Sequence, residues 1–419
     1  METQAIRIGG LSNKPAQPEA GQDYASLGLC CGVPAGERLH SLDILRGFAL
    51  FGMILVHFHQ KMRLEVTGLE DLIGWFVYIF VEQKAWGTFA FLFGVGFAVL
   101  LRGLEARQQP ITPIYLRRLA VLAVFGVIAE VAFGFTILFP YACWGLALLA
   151  VRRWSTKALL VTAALAAMAD PLVAEATALW AWWSGAPVSA RPFRALAQVV
   201  AAAEQHGDYW TVVAARWRLF AGTTPGDWRG LLPDTNLALF IVGLLAVRHR
   251  VIDEPLRHSR LIAGWMVFGA ASWFASWVLL PRLPEVPIPG AGWPLAAGLG
   301  LIQDQWLCFT YIGAVVLLLA GRPVWNDRLA FAGIAGRMAL TNYMIQVAVL
   351  DVLASGYGLG LKLRPYAYLA AAIVLFAAEV ALSRAWLARF RYGPLEWIWR
   401  TATYARRQPL ATDGARLVA

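Results

Sequence analysis

Apolar runs of bilayer-crossing length alternate with short polar segments along nearly the whole chain. A hydrocarbon core about 30 Å thick needs about 20 apolar residues in a helix. About ten runs fit that pattern: 41–60, 73–101, 117–137, the short 139–151, 157–183, 234–248, 260–281, 294–320, 329–354 and 365–390. The second is long enough to be tilted, or broken where Glu82, Gln83 and Lys84 interrupt it. The pattern predicts an all-α fold, a polytopic membrane helix bundle of about ten transmembrane helices.

Outside these runs the chain divides simply. Residues 1–36 scatter Gly, Pro, Gln and Ser without an apolar period and read as a flexible tail. Residues 37–405 read as one polytopic membrane domain and 406–419 as a C-terminal tail. One connection, 184–233, is long and carries Tyr209-Trp210 and Arg216-Trp217-Arg218. It reads either as an interfacial helix anchored by aromatics and arginines or as a lid over an acceptor site. No repeat visible in the sequence supports an inverted-repeat transporter.

Composition agrees with the pattern. The 419 residues are 59% hydrophobic and 15% charged, against about 25% charged in soluble proteins. A net charge of +10 would suit nucleic acid, but its placement argues against that partner. Arg102, Arg107, Arg117, Arg118; Arg152, Arg153, Lys157; Arg248, Arg250, Arg257, Arg260; Arg322, Arg328; and Arg400, Arg406, Arg407 occupy alternate loops and the C-terminal tail. With an even number of spans all of them fall on one side, which the positive-inside rule makes cytoplasmic together with both termini. Cys30, Cys31, Cys143 and Cys308 show no metal-ligand spacing.

Candidate chemistry begins in Arg38–Gln60, where an ionisable group at membrane depth marks a site. Asp43 and Arg46 are three residues apart and can pair on one helix face. His57 follows Asp43 by 14 residues, about 21 Å of helix, and so lies toward the opposite membrane face. His57 and His59 are two apart, so at most one points inward on a regular helix. Histidine suits general-base work; rings near a span end can equally be interfacial. Further polar residues at membrane depth are Glu82 and Lys84, Glu130, Asp304 between two glutamines, Arg337, Asn342, Gln346 and Glu379. Asn342 and Gln346 share a face and suit interhelical glue, whereas Asp304 and Glu379 suit a pocket or pore. Glu396, after Gly393-Pro394, reads as a helix-start device.

The motif Leu42-Asp43-x-x-Arg46-Gly47, LFGVGFAVLLRG at 92–103, GRMALTNYMIQ at 336–346 and RYGPLEWIWR at 391–400 resemble the YeiB-type membrane proteins, the family of domain of unknown function 418. The resemblance runs from about 38 to 405, with the C-terminal signature at about 234–405. The first-span motif is also similar to the heparan-glucosaminide acetyltransferases and to acyltransferase family three, which transfer acyl groups across membranes. In the polysaccharide-acylating group that motif ends in a Tyr-His pair whose His is functional; Val56-His57 stands there, where most YeiB-type relatives have Asn. The family usually carries a His in the third span and a Gly-Asp-Ile-Leu segment before Tyr-Ala. Here GVIAEVAFGFTILFPYA, 126–142, has Thr136 at the Asp position, no His, and Glu130 nearby. If those positions carry the family's chemistry, this chain has altered or lost it, or Glu130 and His57 have taken the role.

The resemblance implies a multi-pass protein of the bacterial inner membrane. It implies a transmembrane acyltransferase with a cytoplasmic acyl-CoA as donor substrate, no resident cofactor, and a sugar or small-molecule acceptor presenting a hydroxyl or amine near the outer face. His57 would be the base, Asp43 and Arg46 would organise the donor end or lock the helix, and His59 would line the cavity. A transporter or flippase, with Glu82, Lys84, Glu130, Asp304 and Glu379 along a path, and a non-catalytic scaffold are the alternatives.

Overall fold

The computed structural model describes residues 40–68, 71–135, 137–185, 192–223, 234–279 and 305–411. The expected N-terminal tail, Thr136, Asp304 and the last eight residues, 412–419, lie outside them. The described chain is helical, with two isolated bridges and no β-strand. Its helices are α1 His40–Met62, α2 Asp71–Phe76 with a π-helical turn at Val77–Val81, α3 Lys84–Ala106, α4 Ile111–Phe133, α5 Leu138–Val151 and α6 Thr156–Ser184. They continue with α7 Pro192–His206, α8 Tyr209–Thr223, α9 Thr235–Arg248 and α10 Ser259–Leu279. The remainder are α11 Cys308–Gly321, α12 Val324–Arg328, α13 Ala330–Arg337, α14 Ala339–Ala354, α15 Pro365–Leu387 and α16 Pro394–Tyr404.

Fewer helices than the ten expected have spanning length among the described residues. Among the described residues, His40–Met62, Asp71–Ala106, Ser259–Val278 and Pro365–Leu387 are long and apolar enough to cross a bilayer. Thr156–Ala169 and Pro171–Thr177, bent by 45°, make a fifth if they form one span. The apolar runs at α5, α9 and α14 form helices of only 14 to 16 residues, about 21–24 Å long against a core of about 30 Å; the run 294–320 lies partly outside the described residues, which hold α11 at Cys308–Gly321. The run 329–354 is two helices, parted at Met338. The run 73–101 breaks where Gln83 takes φ 55°. An apolar run reports burial, and burial in a bundle does not require a helix to span it.

α1 lies at the centre, against α3, α13, α14 and α15. Gly52 through His59 are all buried, so more than two turns have no exposed stripe, as befits a core helix. Small residues permit this enclosure. A side chain on Gly47 would overlap the Ala332 carbonyl, and one on Gly336 would overlap the carbonyl of Asp43. The α1 and α13 backbones are therefore in direct contact, the packing that membrane bundles build from small residues.

The basic segments gather at one end. Arg102 donates to Asp253 at 2.7 Å, Arg248 to the Trp154 carbonyl at 2.8 Å and Arg117 to the Thr403 carbonyl at 3.0 Å, while the Arg118 guanidinium lies 3.7 Å over the Trp399 ring. At that end Glu396 caps a helix, though not only its own: its carboxylate accepts from the Leu340 and Thr341 amides at 2.7 and 3.0 Å and from Thr341 Oγ1 at 2.6 Å. It satisfies the N-terminus of α14, so GRMALTNY and RYGPLEW form one structure.

The α1–α13 contact is testable. Gly47→Val and Gly336→Val each lower stability by about 1–3 kcal/mol through overpacking, read as a fall in the thermal midpoint in detergent. Gly264→Ala, whose added methyl meets open space, leaves the midpoint in place. Equal midpoints for all three variants would mean that the crossing is loose.

Candidate functional site

The first helix positions its chemistry at two levels. Near its start, Arg46 Nη1 donates to Asp43 Oδ1 at 2.7 Å, the pair expected from the three-residue spacing. Asp43 is buried at the α13 crossing, and Arg337 follows directly after Gly336 there.

Near the other end both histidines point inward, with exposures of 3% for His57 and 8% for His59. The expectation that at most one would do so is overturned because α1 is enclosed on every side. His59 Nδ1 lies 3.1 Å from the Tyr368 hydroxyl of α15. His57 packs on Phe135, ring centroids 4.3 Å apart, and edge-on to Tyr343 of α14 at 6.3 Å. His57 Nδ1 and the Tyr343 hydroxyl have no hydrogen-bond partner among the described residues. Glu130, half-buried on α4, is within electrostatic reach of Tyr343. His57, Tyr343 and Glu130 thus share one neighbourhood.

Beside it lies an ionic cluster that sequence reasoning missed. Arg216 of α8 is 3% exposed. It donates to Asp351 at 2.6 and 3.2 Å, to Glu204 at 2.8 and 3.2 Å and to the Ala132 carbonyl at 2.9 Å. Lys61, on the last turn of α1, donates to Glu204 at 3.1 Å and sits 5.6 Å from the Phe135 ring that covers His57. Tyr357 and Ser355 donate to Asp351. The cluster ties the α7–α8 hairpin to α1, α4 and α14. Asp351 stood in an apolar run, the criterion that singled out Glu379, and could have been found by it; Glu204 gave no signal.

The other candidates disperse. Glu82 accepts from Gln60 at 2.6 Å at an exposed rim, and Gln305 donates to Gln83 at 3.3 Å. Lys84 is buried at 1% exposure, with Cys308 in electrostatic reach. Asn342 is glue as expected, donating to the Ala335 carbonyl at 3.1 Å and to Ser383 Oγ at 2.9 Å. Gln346 and Glu379 are buried, and neither has a hydrogen-bond partner among the described residues. An apolar cavity of about 350 Å³ lies apart, between α3, α6, α9, α10 and α11, with Phe91, Leu245, Trp265 and Phe309 in its wall. Among the described residues no three His, Cys, Asp or Glu side chains are grouped to hold a metal.

Residues 38–197 match the family model for heparan-alpha-glucosaminide N-acetyltransferase, catalytic, and residues 246–406 match protein of unknown function DUF418. The chain is 29% identical over 408 residues to uncharacterized protein YxaH of Bacillus subtilis (strain 168), covering 90% of this chain and 96% of that protein. It is 29% identical over 152 residues to uncharacterized protein YeiB of Escherichia coli (strain K12), 36% of this chain and 34% of that protein. These matches make the chain similar to the YeiB-type DUF418 proteins and, over its first part, to the glucosaminide acetyltransferase family. A further relative, an uncharacterized 39.9 kDa protein in the amylase 3′ region of Bacillus acidopullulyticus, is 25% identical over 383 residues, 90% of this chain and 97% of that one. No solved structure matches. The two family models meet at the α1–α13 crossing, since the Gly47 side lies in the first and the Gly336 side in the second.

Arg216→Gln strands the buried Asp351 carboxylate, while the half-buried Glu204 keeps Lys61, and costs about 3 kcal/mol; adding Asp351→Asn restores part of the loss in a thermal double-mutant cycle. The cluster also responds to acid. Burial pushes Glu204 up, but Lys61 and Arg216 outweigh it and hold the carboxyl below its ordinary 4.5. A lowered carboxylate contributes stability above its ordinary value, and loses it as pH falls through the lowered one. Thermal midpoints of the wild type and Glu204→Gln therefore differ near neutrality and converge below about pH 4.5. A gap that persists into acid contradicts this.

Proposed function

We propose that this YeiB-type protein is a transmembrane acyltransferase. It moves an acyl group from a cytoplasmic acyl-CoA to an acceptor hydroxyl or amine near the outer face of the bacterial inner membrane. The observation that carries the reading is His57: a buried imidazole with an unpartnered Nδ1, about 21 Å of helix from the Asp43–Arg46 pair. The catalytic acetyltransferase model spans this helix. The positive-inside rule makes the basic end cytoplasmic, and both the start of α1 and α16 lie at that end.

In this reading the acceptor attacks the thioester carbonyl while His57 takes its proton; the carbon–sulfur bond then breaks and the thiolate leaves with a proton. The Tyr343 hydroxyl is a donor for the developing oxyanion. Asp43 and Arg46 hold the donor end, and the flexible arm of acyl-CoA bridges the two levels. His57 is closed off, so entry requires its cover to open. The α7–α8 hairpin, tied through Arg216 and through Glu204 to Lys61 of α1, is the segment beside it, and its release is the opening this reading requires.

Purified protein in lipid vesicles should consume acyl-CoA and release free thiol. His57→Gln should lower turnover by about 10²–10⁴-fold at an unchanged thermal midpoint, while His59→Gln retains most of it. Full turnover in His57→Gln removes the assigned base. Solute uptake into vesicles without thiol release would favour a transporter, in which the buried Glu379 and Gln346 line the path.

A further inference from the structure

The apolar cavity between α3, α6, α9, α10 and α11 is left unused by the acyl-transfer reading. Its volume of about 350 Å³ suits part of one hydrocarbon chain. Along its α9 wall, Val242 to His249 is seven residues, about 10 Å of helix, against about 15 Å for one leaflet of a bilayer's hydrocarbon core. Its inner wall is aromatic: Phe309 of α11 packs on Phe91 of α3 at 6.2 Å and on Trp265 of α10 at 5.4 Å.

The cavity reaches the outside of the bundle. Leu160 of α6 and Leu261 of α10 line it and are about half exposed. α10 is long and apolar enough to span a bilayer, yet little of it is buried against other helices. An apolar slot on such a face favours hydrocarbon over water.

At the basic end the wall turns polar. Thr156 Oγ1 and His249 Nε2 lie 3.0 Å apart there and join the start of α6 to the end of α9. Lys157 and Arg250 follow those two residues directly, and Arg260 precedes Leu261; all three are exposed. The nearest carboxylates in sequence are already taken, Asp253 by Arg102 at 2.7 Å and Glu254 by Arg257 at 2.9 Å and Arg250 at 3.6 Å. Lys157 and Arg260 are left without an ion pair among the described residues. An apolar slot with cations beside its mouth matches an amphiphile that has a hydrocarbon chain and an anionic head.

We propose that the cavity binds an anionic phospholipid of the leaflet at the basic end. One acyl chain fills the slot between α6, α9 and α10, and Lys157, Arg250 and Arg260 hold the phosphate. A zwitterionic lipid offers the same chain without the net negative charge, and gains less from these cations. The site is separate from His57 and does not rest on the acyl-transfer reading.

The test is thermal unfolding of the full chain in detergent at fixed ionic strength, titrated with phosphatidylglycerol or with phosphatidylcholine of the same chains. The expected result is a saturable rise in Tm of several degrees with phosphatidylglycerol and a smaller one with phosphatidylcholine. Ala246→Phe, which fills the slot, removes both rises. The double variant Lys157→Gln/Arg260→Gln weakens phosphatidylglycerol by about tenfold and leaves phosphatidylcholine unchanged. Arg406→Gln/Arg407→Gln, which removes the same charge from the C-terminal tail, weakens neither. The surface double variant keeps the test decisive if Ala246→Phe does not fold. Equal rises with the two lipids overturn the site, as does a rise that survives in Ala246→Phe. Equal weakening in the two double variants assigns the effect to overall surface charge and overturns it too.

Discussion

The direct backbone contact between α1 and α13 is the constraint from which the rest of the bundle follows. Gly47 and Gly336 let the two helices approach until carbonyls occupy the space a side chain would need. With α13 so close, and α3, α14 and α15 around it, α1 has no lipid-facing stripe. From Gly52 to His59 every position, polar or not, is an interior one. That is why His57 and His59 are both buried although they do not share one face. The same contact joins the first-span and C-terminal motifs: Leu42-Asp43-x-x-Arg46-Gly47 and Gly336-Arg337-Met338 are two sides of one crossing, and Glu396 from the third motif caps the helix that follows.

The opposite end is held by charge. Lys61, Glu204, Arg216 and Asp351 bring two positive and two negative groups into one network, buried at Arg216 and Asp351 and half-buried at Lys61 and Glu204. Such a network contributes little net stability against an apolar substitute, yet losing one member is costly because the remaining charges stay buried. Its value is positional. It fixes the α7–α8 hairpin, the middle of the long connection, beside Phe135 and hence beside His57. Apolar packing adds to it, since Val212 and Phe220 of α8 are buried and Phe220 lies 5.0 Å from the Phe139 ring of α5.

How much of this was legible depended on whether a signal was local. The helical class, the break at Gln83, the Asp43–Arg46 pair and the role of Asn342 follow from spacing within one segment, and the structure has them. The number of full spans was less legible, because hydropathy also reports burial: four or five helices among the described residues have spanning length, while α5, α9 and α14 are apolar but shorter. The inward direction of both histidines was hidden because period-3.6 reasoning assumes one wet or lipid-facing side. Arg216 and Glu204 were hidden because a charge in a connection reads as solvated until its partners from α1 and α14, far along the chain, are seen.

Polar groups at the two ends of the bundle are largely paired: Glu396 with three donors of α14, Arg216 with two carboxylates, Asp234 with the first amides of α9. Along α14, between those ends, Tyr343 and Gln346 are not, and neither are His57 and Glu379 on the helices beside it. Stability alone argues against that division, since leaving buried polar groups without partners is a cost that apolar residues of similar size would avoid. The ends hold the helices together; the interior keeps hydrogen-bonding capacity open, and the acyl-transfer reading uses that capacity at His57 and Tyr343.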